Sequence, residues 1–171
     1  LVETYGARPI DAAVRIVEAA GRKKIRILTY WDADYPPLLR EIQMPPLTLY
    51  VKGEMRVRRT VAVVGTRKSD ARSAVNARRI ARDMAARGYT IVSGMAVGID
   101  REAHLGALDA RGCTIGVLAN GIDIRYPRQN RDLYRLIEGS TGSALISEYP
   151  PGVFAGKWTF VRRNRIISGL C

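Results

Sequence analysis

Cysteine and histidine are scarce in this sequence. There are two cysteines, Cys113 and Cys171, and one histidine, His104. The cysteines lie in unrelated contexts, which excludes a zinc-type cluster and a disulfide framework. No apolar run reaches the roughly 18 residues of a membrane-spanning helix, and because charges come early in the sequence, we expect no signal peptide in residues 1–21. We therefore expect a cytoplasmic protein that holds no metal and no cofactor.

Acidic residues are also in short supply. The 171 residues include 28 Lys and Arg but only 16 Asp and Glu, which gives a formal net charge of +12. Such a surplus attracts polyanions, so nucleic acid and anionic membranes are the natural partners. Most of the cations are arginines, whose planar guanidinium stacks on bases and grips phosphates, and this favours nucleic acid. A protein that is basic only for solubility is the alternative.

The sequence is rich in alternating strand and helix patterns from residue 60 onward. Short apolar runs end in Gly or Ser, and helical patterns with polar caps lie between them. The predicted strands are 60–64, 89–92, 113–118 and 144–146, and the predicted helices are 71–87, 100–111 and 128–137. Ser69 or Asp70 is expected to cap the first of these helices and Asp100 the second. This order predicts an α/β fold with a parallel sheet and helices on both faces, in three α/β/α layers.

Residues before 59 follow a different pattern. The helix expected over 10–20 is interpreted as the remnant of an N-terminal helical domain, residues 1–22. Residues 23–58 are rich in proline and are expected to form a linker with lead-in strands at 24–30 and 48–51 and a short helix at 38–42. Residues 59–171 are then expected to form a core that is C-terminally incomplete.

The loops that follow the parallel strands are expected to meet at one edge of the sheet, where ligands bind in such folds. In the first loop, Gly65 allows a sharp turn, and the next helix offers N–H groups to an anion. Arg67 and Lys68 add positive charge there, which predicts a phosphate contact. The alternative is a solvated helix entrance.

The second loop runs from Ser93 and Gly94 to Asp100. Its glycines permit a ligand to approach the backbone closely, but the spacing matches neither a dinucleotide fingerprint nor a phosphate-binding loop. Asp100 is interpreted as a helix cap and not as a catalytic acid. His104 is interpreted as a packed or hydrogen-bonded residue and not as a base.

Residues 156–169 interleave cations with aromatic rings. This combination suits single-stranded nucleic acid, because Lys and Arg track phosphates while ring faces stack on bases. Trp158 and Phe160 could equally fill the core, and for Trp158 the two interpretations weigh the same. Three arginines that share a helix face either contact a nucleic acid backbone or are simply solvated: Arg128, Arg131 and Arg135.

Six motifs, in order and spacing, resemble the DNA-processing protein A family, also called DprA or Smf. They are the runs 61–67 and 92–100 with His104, the turn 120–123, Tyr126-Pro127, Ser147-Glu148, and Phe160 with 163–170. Residues 35–39 and 45–50 resemble the lead-in to that family's fold. The resemblance implies an extended Rossmann-like fold with a positively charged pocket for single-stranded DNA. It also implies a protein without catalytic activity that shields incoming DNA during natural transformation and hands it to RecA.

The resemblance places the family's DNA-binding residues on named positions. The pocket arginine falls on Arg67, a Lys-x-x-Phe element on Lys157 and Phe160, and an Arg-Asn-Arg element on 163–165. Together with the loop residues, the expected DNA-binding set is Arg67, Lys68, Ser93, Gly94, Lys157, Phe160, Arg163, Asn164 and Arg165. The expected partners are single-stranded DNA and RecA, and a homodimer stays open.

The sequence departs from the family at Val153, where the family has a glycine four residues before its lysine. The chain also stops at Cys171, where family members continue with further strands. An enzyme similar to the nucleotide phosphoribohydrolases is an alternative, although their Pro-Gly-Gly-x-Gly-Thr run is missing and Glu148 is the only comparable acid. A sensor that binds a small nucleotide in the same crevice is a third possibility.

Overall fold

The computed structural model describes residues 9–171, where strands and helices alternate. The strands are β1 (Arg26–Thr29), β2 (Thr48–Gly53), β3 (Thr60–Ala62), β4 (Thr90–Gly94), β5 (Thr114–Leu118) and β6 (Ala144–Ser147). The helices are α1 (Pro9–Arg22), α2 (Pro37–Arg40), α3 (Ala71–Ala86), α4 (Ile99–Asp109), α5 (Arg131–Glu138) and α6 (Lys157–Gly169). The first eight residues of the expected N-terminal remnant, 1–8, lie outside the described residues.

All six strands form one sheet in the order β1-β2-β6-β5-β4-β3. The four strands β3 to β6 run parallel to one another. Strand β2 pairs antiparallel with β6, and β1 pairs antiparallel with β2. The predicted α/β fold is confirmed, and the two strands from the proline-rich segment extend its parallel core on one side.

Helices cover both faces of this sheet because neighbouring strand residues point in opposite directions. On one face, Ile166 and Ile167 of α6 pack against Ile115 and Val117 of β5. On the other face, α1 and α5 pack against Leu118 and against the strand residues that point to the same side of the sheet. Helices α3 and α4 cover Ile91. Within residues 9–171, no helix has the length and apolar character needed to cross a membrane.

The start of α3 shows how the sequence sets an element boundary. Asp70 is the cap, as one of the two predicted candidates, and its Oδ1 accepts a hydrogen bond from the Ser73 amide at 2.7 Å. Such a side-chain acceptor satisfies one of the amides that a helix leaves unpaired in its first turn. At the other end, Gly88 follows the helix with a φ of +82°, a conformation that glycine adopts without strain.

Two predictions about helices were wrong, and one helix was not predicted. Asp100 does not cap α4; it lies inside the first turn, because Gly98, with a φ of +81°, turns the chain and provides the cap position. The helix predicted over 128–137 is divided into a 3₁₀ turn, Arg128–Asn130, and α5, since the Asn130 amide bonds back to the Pro127 carbonyl. Residues 156–169 were given no secondary structure, yet they contain α6.

Candidate nucleic-acid interface

The carboxyl ends of the parallel strands open onto a cavity of about 520 Å³. It is lined by Arg67, Met95, Ala96, Val97, Leu118, Ala119, Asn120, Tyr126, Pro127, Arg128, Gln129, Phe160 and Arg163. Within the described part of the chain, the lining of this cavity includes three arginines and no acidic residue. A second cavity of about 460 Å³ shares Arg67 and Arg163 with the first and also includes Asp100 and Asn164. The predicted convergence of the strand-end loops is therefore present in the structure.

Arg67 and Phe160 meet at the mouth of the larger cavity. The guanidinium carbon of Arg67 lies 4.9 Å from the centroid of the Phe160 ring. The Tyr126 ring lies 5.9 Å from the Phe160 ring, at an interplanar angle of 49°. The backbone of Tyr126 is itself fixed, because its amide donates to the Tyr134 hydroxyl and its carbonyl accepts from that hydroxyl. A cation and two rings thus share one wall, which suits a phosphate beside a stacked base.

Arg163 lies beneath this wall and is almost completely buried, with 6% of its surface exposed. Its Nη1 donates to the carbonyl of Val117 at the end of β5, at 2.5 Å. Burial lowers the pKa of Arg163, and the attraction of Asp100 opposes that shift. An arginine stays charged at neutral pH, so the cavity floor carries a positive charge that forms no ion pair within residues 9–171. A buried cation of this kind favours an anionic ligand above it.

Ser93 and Gly94 serve this arrangement from the end of β4. The Ser93 hydroxyl donates to the Val63 carbonyl at 2.6 Å, so its hydrogen atom bonds to the segment after β3. Gly94 faces the Arg163 guanidinium, and a Cβ at this position would lie 2.5 Å from Nη1. The glycine is needed here because no larger residue leaves room for the arginine.

Lys68 and Lys157 are both exposed near the same edge. Within residues 9–171, neither forms an ion pair. Lys68 follows Arg67 in the β3–α3 loop, where its amide donates to the Thr66 hydroxyl. Lys157 is the first residue of α6, three positions before Phe160. Both ammonium groups remain available to a ligand.

Asn164 and Arg165 lie farther along α6. Asn164 lines the smaller cavity, and its Oδ1 accepts from the Arg163 Nε at 3.2 Å. Arg165 instead pairs with Glu148 at the end of β6, where Arg162 also binds the same carboxylate. Arg165 lines neither of these two cavities. The structure thus brings Arg67, Phe160 and Arg163 together and places Arg165 in a separate ion-pair cluster.

Two titratable groups of α4, Asp100 and His104, are buried. Burial raises the pKa of Asp100, and the nearby charge of Arg163 opposes that shift. The Oδ1 of Asp100 accepts a hydrogen bond from the Gly65 amide at 3.4 Å. Burial also lowers the pKa of His104 to about 3, so the ring is neutral at pH 7. Because the Thr114 hydroxyl donates to the Ile91 carbonyl, its oxygen accepts from Nδ1–H of His104 at 2.7 Å. His104 is a packed, hydrogen-bonded residue, as the sequence indicated.

Asn130 is a residue of this site that sequence reasoning missed. Its buried amide nitrogen donates to the carbonyls of Met95 and Ala96, at 2.9 and 3.0 Å. Its oxygen accepts from Arg101, which in turn pairs with Asp132. Asn130 thereby ties together two segments that line the larger cavity, 95–97 and 126–129. Its place before a helix, three residues after a proline, was the available signal.

The sequence model of the DNA recombination-mediator protein A family matches residues 26–171. Among curated proteins, protein Smf of Synechocystis sp. is 38% identical over 184 residues, which cover 99% of this chain and 46% of that protein. The chain spans about half the length of the curated relatives it matches.

Two solved structures have the same fold. The X-ray structure of DNA processing protein A from Streptococcus pneumoniae has a TM-score of 0.79 and 35% identity, over 97% of this chain and 61% of that one. DNA processing protein A from Helicobacter pylori, which has a unique single-stranded DNA binding mode, has a TM-score of 0.74 and 28% identity. That alignment covers 86% of this chain and 66% of the other.

Proposed function

This chain belongs to the DNA recombination-mediator protein A family, and on that premise we propose that it binds single-stranded DNA at the cavity between Arg67 and Phe160. The family assignment confirms the resemblance that its motifs indicated. The Helicobacter pylori relative of the same fold binds single-stranded DNA, which supports the proposal. The observation that carries it is the contact of the Arg67 guanidinium with the Phe160 ring, 4.9 Å apart, at a cavity with no acidic lining within the described chain.

Two kinds of contact contribute to the binding of single-stranded DNA, namely charge on the phosphates and stacking of a base. Phosphates of the strand bind Arg67, Lys68 and Lys157 and are attracted by the buried charge of Arg163. An unpaired base stacks on the Phe160 ring, which Tyr126 supports from the side. Duplex DNA binds less well, because paired bases cannot leave their own stack to reach Phe160. Asn164 contributes an amide to the lining of the smaller cavity, and Gly94 leaves room for the Arg163 guanidinium.

The wider role proposed is that of a recombination mediator in the cytoplasm. In this role the protein shields incoming single strands during natural transformation and helps load RecA on them. A homodimer and the RecA contact belong to the proposal for the whole protein. The division of the chain at residues 22 and 58, with a DNA-binding core from 59 to 171, is proposed on the same basis.

We propose a function without catalysis. The phosphoribohydrolase alternative is not favoured by the family assignment. Its comparable acid, Glu148, is bound by Arg162 and Arg165 instead of facing the larger cavity. An assay for release of ribose phosphate from nucleotides distinguishes a DNA-binding protein without catalysis from a phosphoribohydrolase. We expect no release.

Fluorescence anisotropy tests the proposal directly. Labelled oligo-dT and a duplex of equal length are titrated with the protein over a salt series. With about four phosphates neutralised, by Arg67, Lys68, Lys157 and Arg163, the logarithm of the single-strand affinity falls with log salt at a slope of about −3. Equal affinity for both DNAs, or an affinity that ignores salt, contradicts the proposal.

A further inference from the structure

The outer side of α6 carries a large ring that the described structure leaves uncovered. Trp158 is 79% exposed, and Phe154, just before the helix, is exposed to the same extent. Tryptophan is usually mostly buried, so neither ring fills the core, and the open question about Trp158 is settled in that respect. Exposed aromatic surface beside a binding cavity marks an interaction surface.

The position of Trp158 relates it to the DNA site. Trp158 precedes Phe160 by two residues, so the two rings leave the helix about 200° apart. Lys157 lies between them at the open end of the helix, about 60° from Phe160 and about 100° from Trp158. Side chains of a helix tilt toward its N-terminus, so both rings lean toward the turn that bears Lys157. A strand that leaves the cavity over this end of α6 therefore passes Phe160, then Lys157, then Trp158.

The charge of this surface selects the occupant. Residues 149–171 contain no Asp or Glu, whereas α6 carries Lys157, Arg162, Arg163 and Arg165. The nearest acid upstream, Glu148, is bound by Arg162 and Arg165. Arg163 is buried, but Lys157 and the two arginines that share Glu148 still leave a net positive charge on this surface. A ring on a surface of net positive charge suits a polyanion with stackable faces, which single-stranded nucleic acid is.

We propose that Trp158 is a second stacking position for single-stranded DNA, outside the cavity and separate from the Lys157–Phe160 pair. This inference rests on the proposed function, since it extends the path of the same strand. It predicts that the bound length includes at least one base beyond the cavity. A protein that covers Trp158 instead would leave the ring untouched by DNA alone.

Tryptophan fluorescence tests this stacking position. The sequence has two tryptophans, Trp31 and Trp158, so the W31F variant emits from Trp158 alone. Titration with unlabelled oligo-dT is expected to quench this emission in step with binding followed by the anisotropy of labelled oligo-dT. Unchanged Trp158 emission at saturating DNA would overturn the inference.

A length series gives the second measurement. Oligo-dT from about 4 to about 16 nucleotides, the range of known single-strand sites, is bound to the wild type, W158A and W158F. W158A is expected to bind the longest oligomers about tenfold more weakly and the shortest like the wild type. W158F keeps a ring and is the matched control, with affinity close to the wild type. Because the position is exposed, both variants should fold normally.

The outcomes separate the inference from the proposed function. If W158A binds every length like the wild type while salt-dependent binding persists, the stacking position is wrong and the DNA site stands. If the wild type binds no single-stranded DNA at any length, both fail together.

Discussion

The guanidinium of Arg67 lies against the ring of Phe160, 4.9 Å from its centroid. Arg67 comes from the loop after β3, and Phe160 from the last helix, so the contact joins the two ends of the core. A cation–π contact at a partly exposed site contributes about 0.5–1 kcal/mol. Its larger consequence is geometric, because it holds the proposed phosphate-binding group and the proposed stacking surface at one point.

Replacement of Arg67 by alanine should weaken binding to every single-stranded sequence alike, because phosphate contacts carry no sequence information. The slope of log affinity against log salt should become shallower by about 0.7. Anisotropy with oligo-dT at several salt concentrations measures both effects. Arg79→Ala is the control, since Arg79 is exposed on α3 away from the cavity. A variant at Arg67 that binds like the wild type speaks against the site.

Replacement of Gly94 by alanine should reduce both stability and DNA binding. The new methyl would lie 2.5 to 2.7 Å from the Arg163 guanidinium, which must move away from the Val117 carbonyl. Loss of a buried hydrogen bond from a charged group costs about 1.5–3 kcal/mol. Urea unfolding and anisotropy report the two effects. Gly21→Ala, where a Cβ meets nothing within 4 Å, should leave DNA binding unchanged and should not lower stability, because alanine is the better helix former in α1.

The alternation of strands and helices was predictable because local sequence signals mark the start and end of each element. Asp70 before α3 and Gly88 after it mark a helix by composition alone. The two antiparallel strands were harder, since β2 pairs with β6, far along the chain, and nothing local specifies that partner. The charge and the loop glycines were sufficient to predict the edge of the sheet at which the larger cavity lies.

The last helix was missed for a physical reason. In an amphipathic helix, apolar residues occupy the buried positions, but a buried position of α6 is occupied by Arg163. The apolar residues Trp158 and Val161 are instead exposed, so the sequence does not show the usual helical repeat of apolar residues. Residue types therefore indicated the chemistry of this segment but not its shape. The separation of Arg163 from Arg165, one in the cavity and one on Glu148, depends on helical geometry that the motif alone does not contain.

Conversion of Asn130 to aspartate should destabilise the fold and weaken DNA binding. The carboxylate cannot donate to the Met95 and Ala96 carbonyls, which are then left facing a negative charge. An unsatisfied buried polar group costs about 1–3 kcal/mol. The free energy of unfolding and the oligo-dT affinity measure the loss. Gln43→Glu adds the same charge at an exposed turn and should change neither appreciably.

His104 should make stability fall as the pH drops below its ordinary pKa of 6.5. In the folded chain the pKa is about 3, so between these values only the unfolded chain takes up the proton. The stabilisation is complete above pH 6.5 and is lost at about 1.4 kcal/mol per pH unit at most below it.

Urea unfolding between pH 6.5 and 5 tests this prediction. Ion pairs lower the pKa values of aspartates such as Asp132, so these groups do not titrate in this pH range. His104→Gln removes the titrating ring and should flatten the profile in this window. A wild-type profile that is already flat there would show that His104 is not buried in its neutral form.

The most direct test of the account is the affinity of Phe160→Ala for oligo-dT and for a duplex of equal length, measured by anisotropy at one salt concentration. Loss of the ring is expected to weaken single-strand binding by about 1–3 kcal/mol, because a stacked base loses its platform. Duplex binding should stay the same, so the preference for single strands shrinks. If Phe160→Ala binds oligo-dT as tightly as the wild type, the strand does not bind at the Arg67–Phe160 wall.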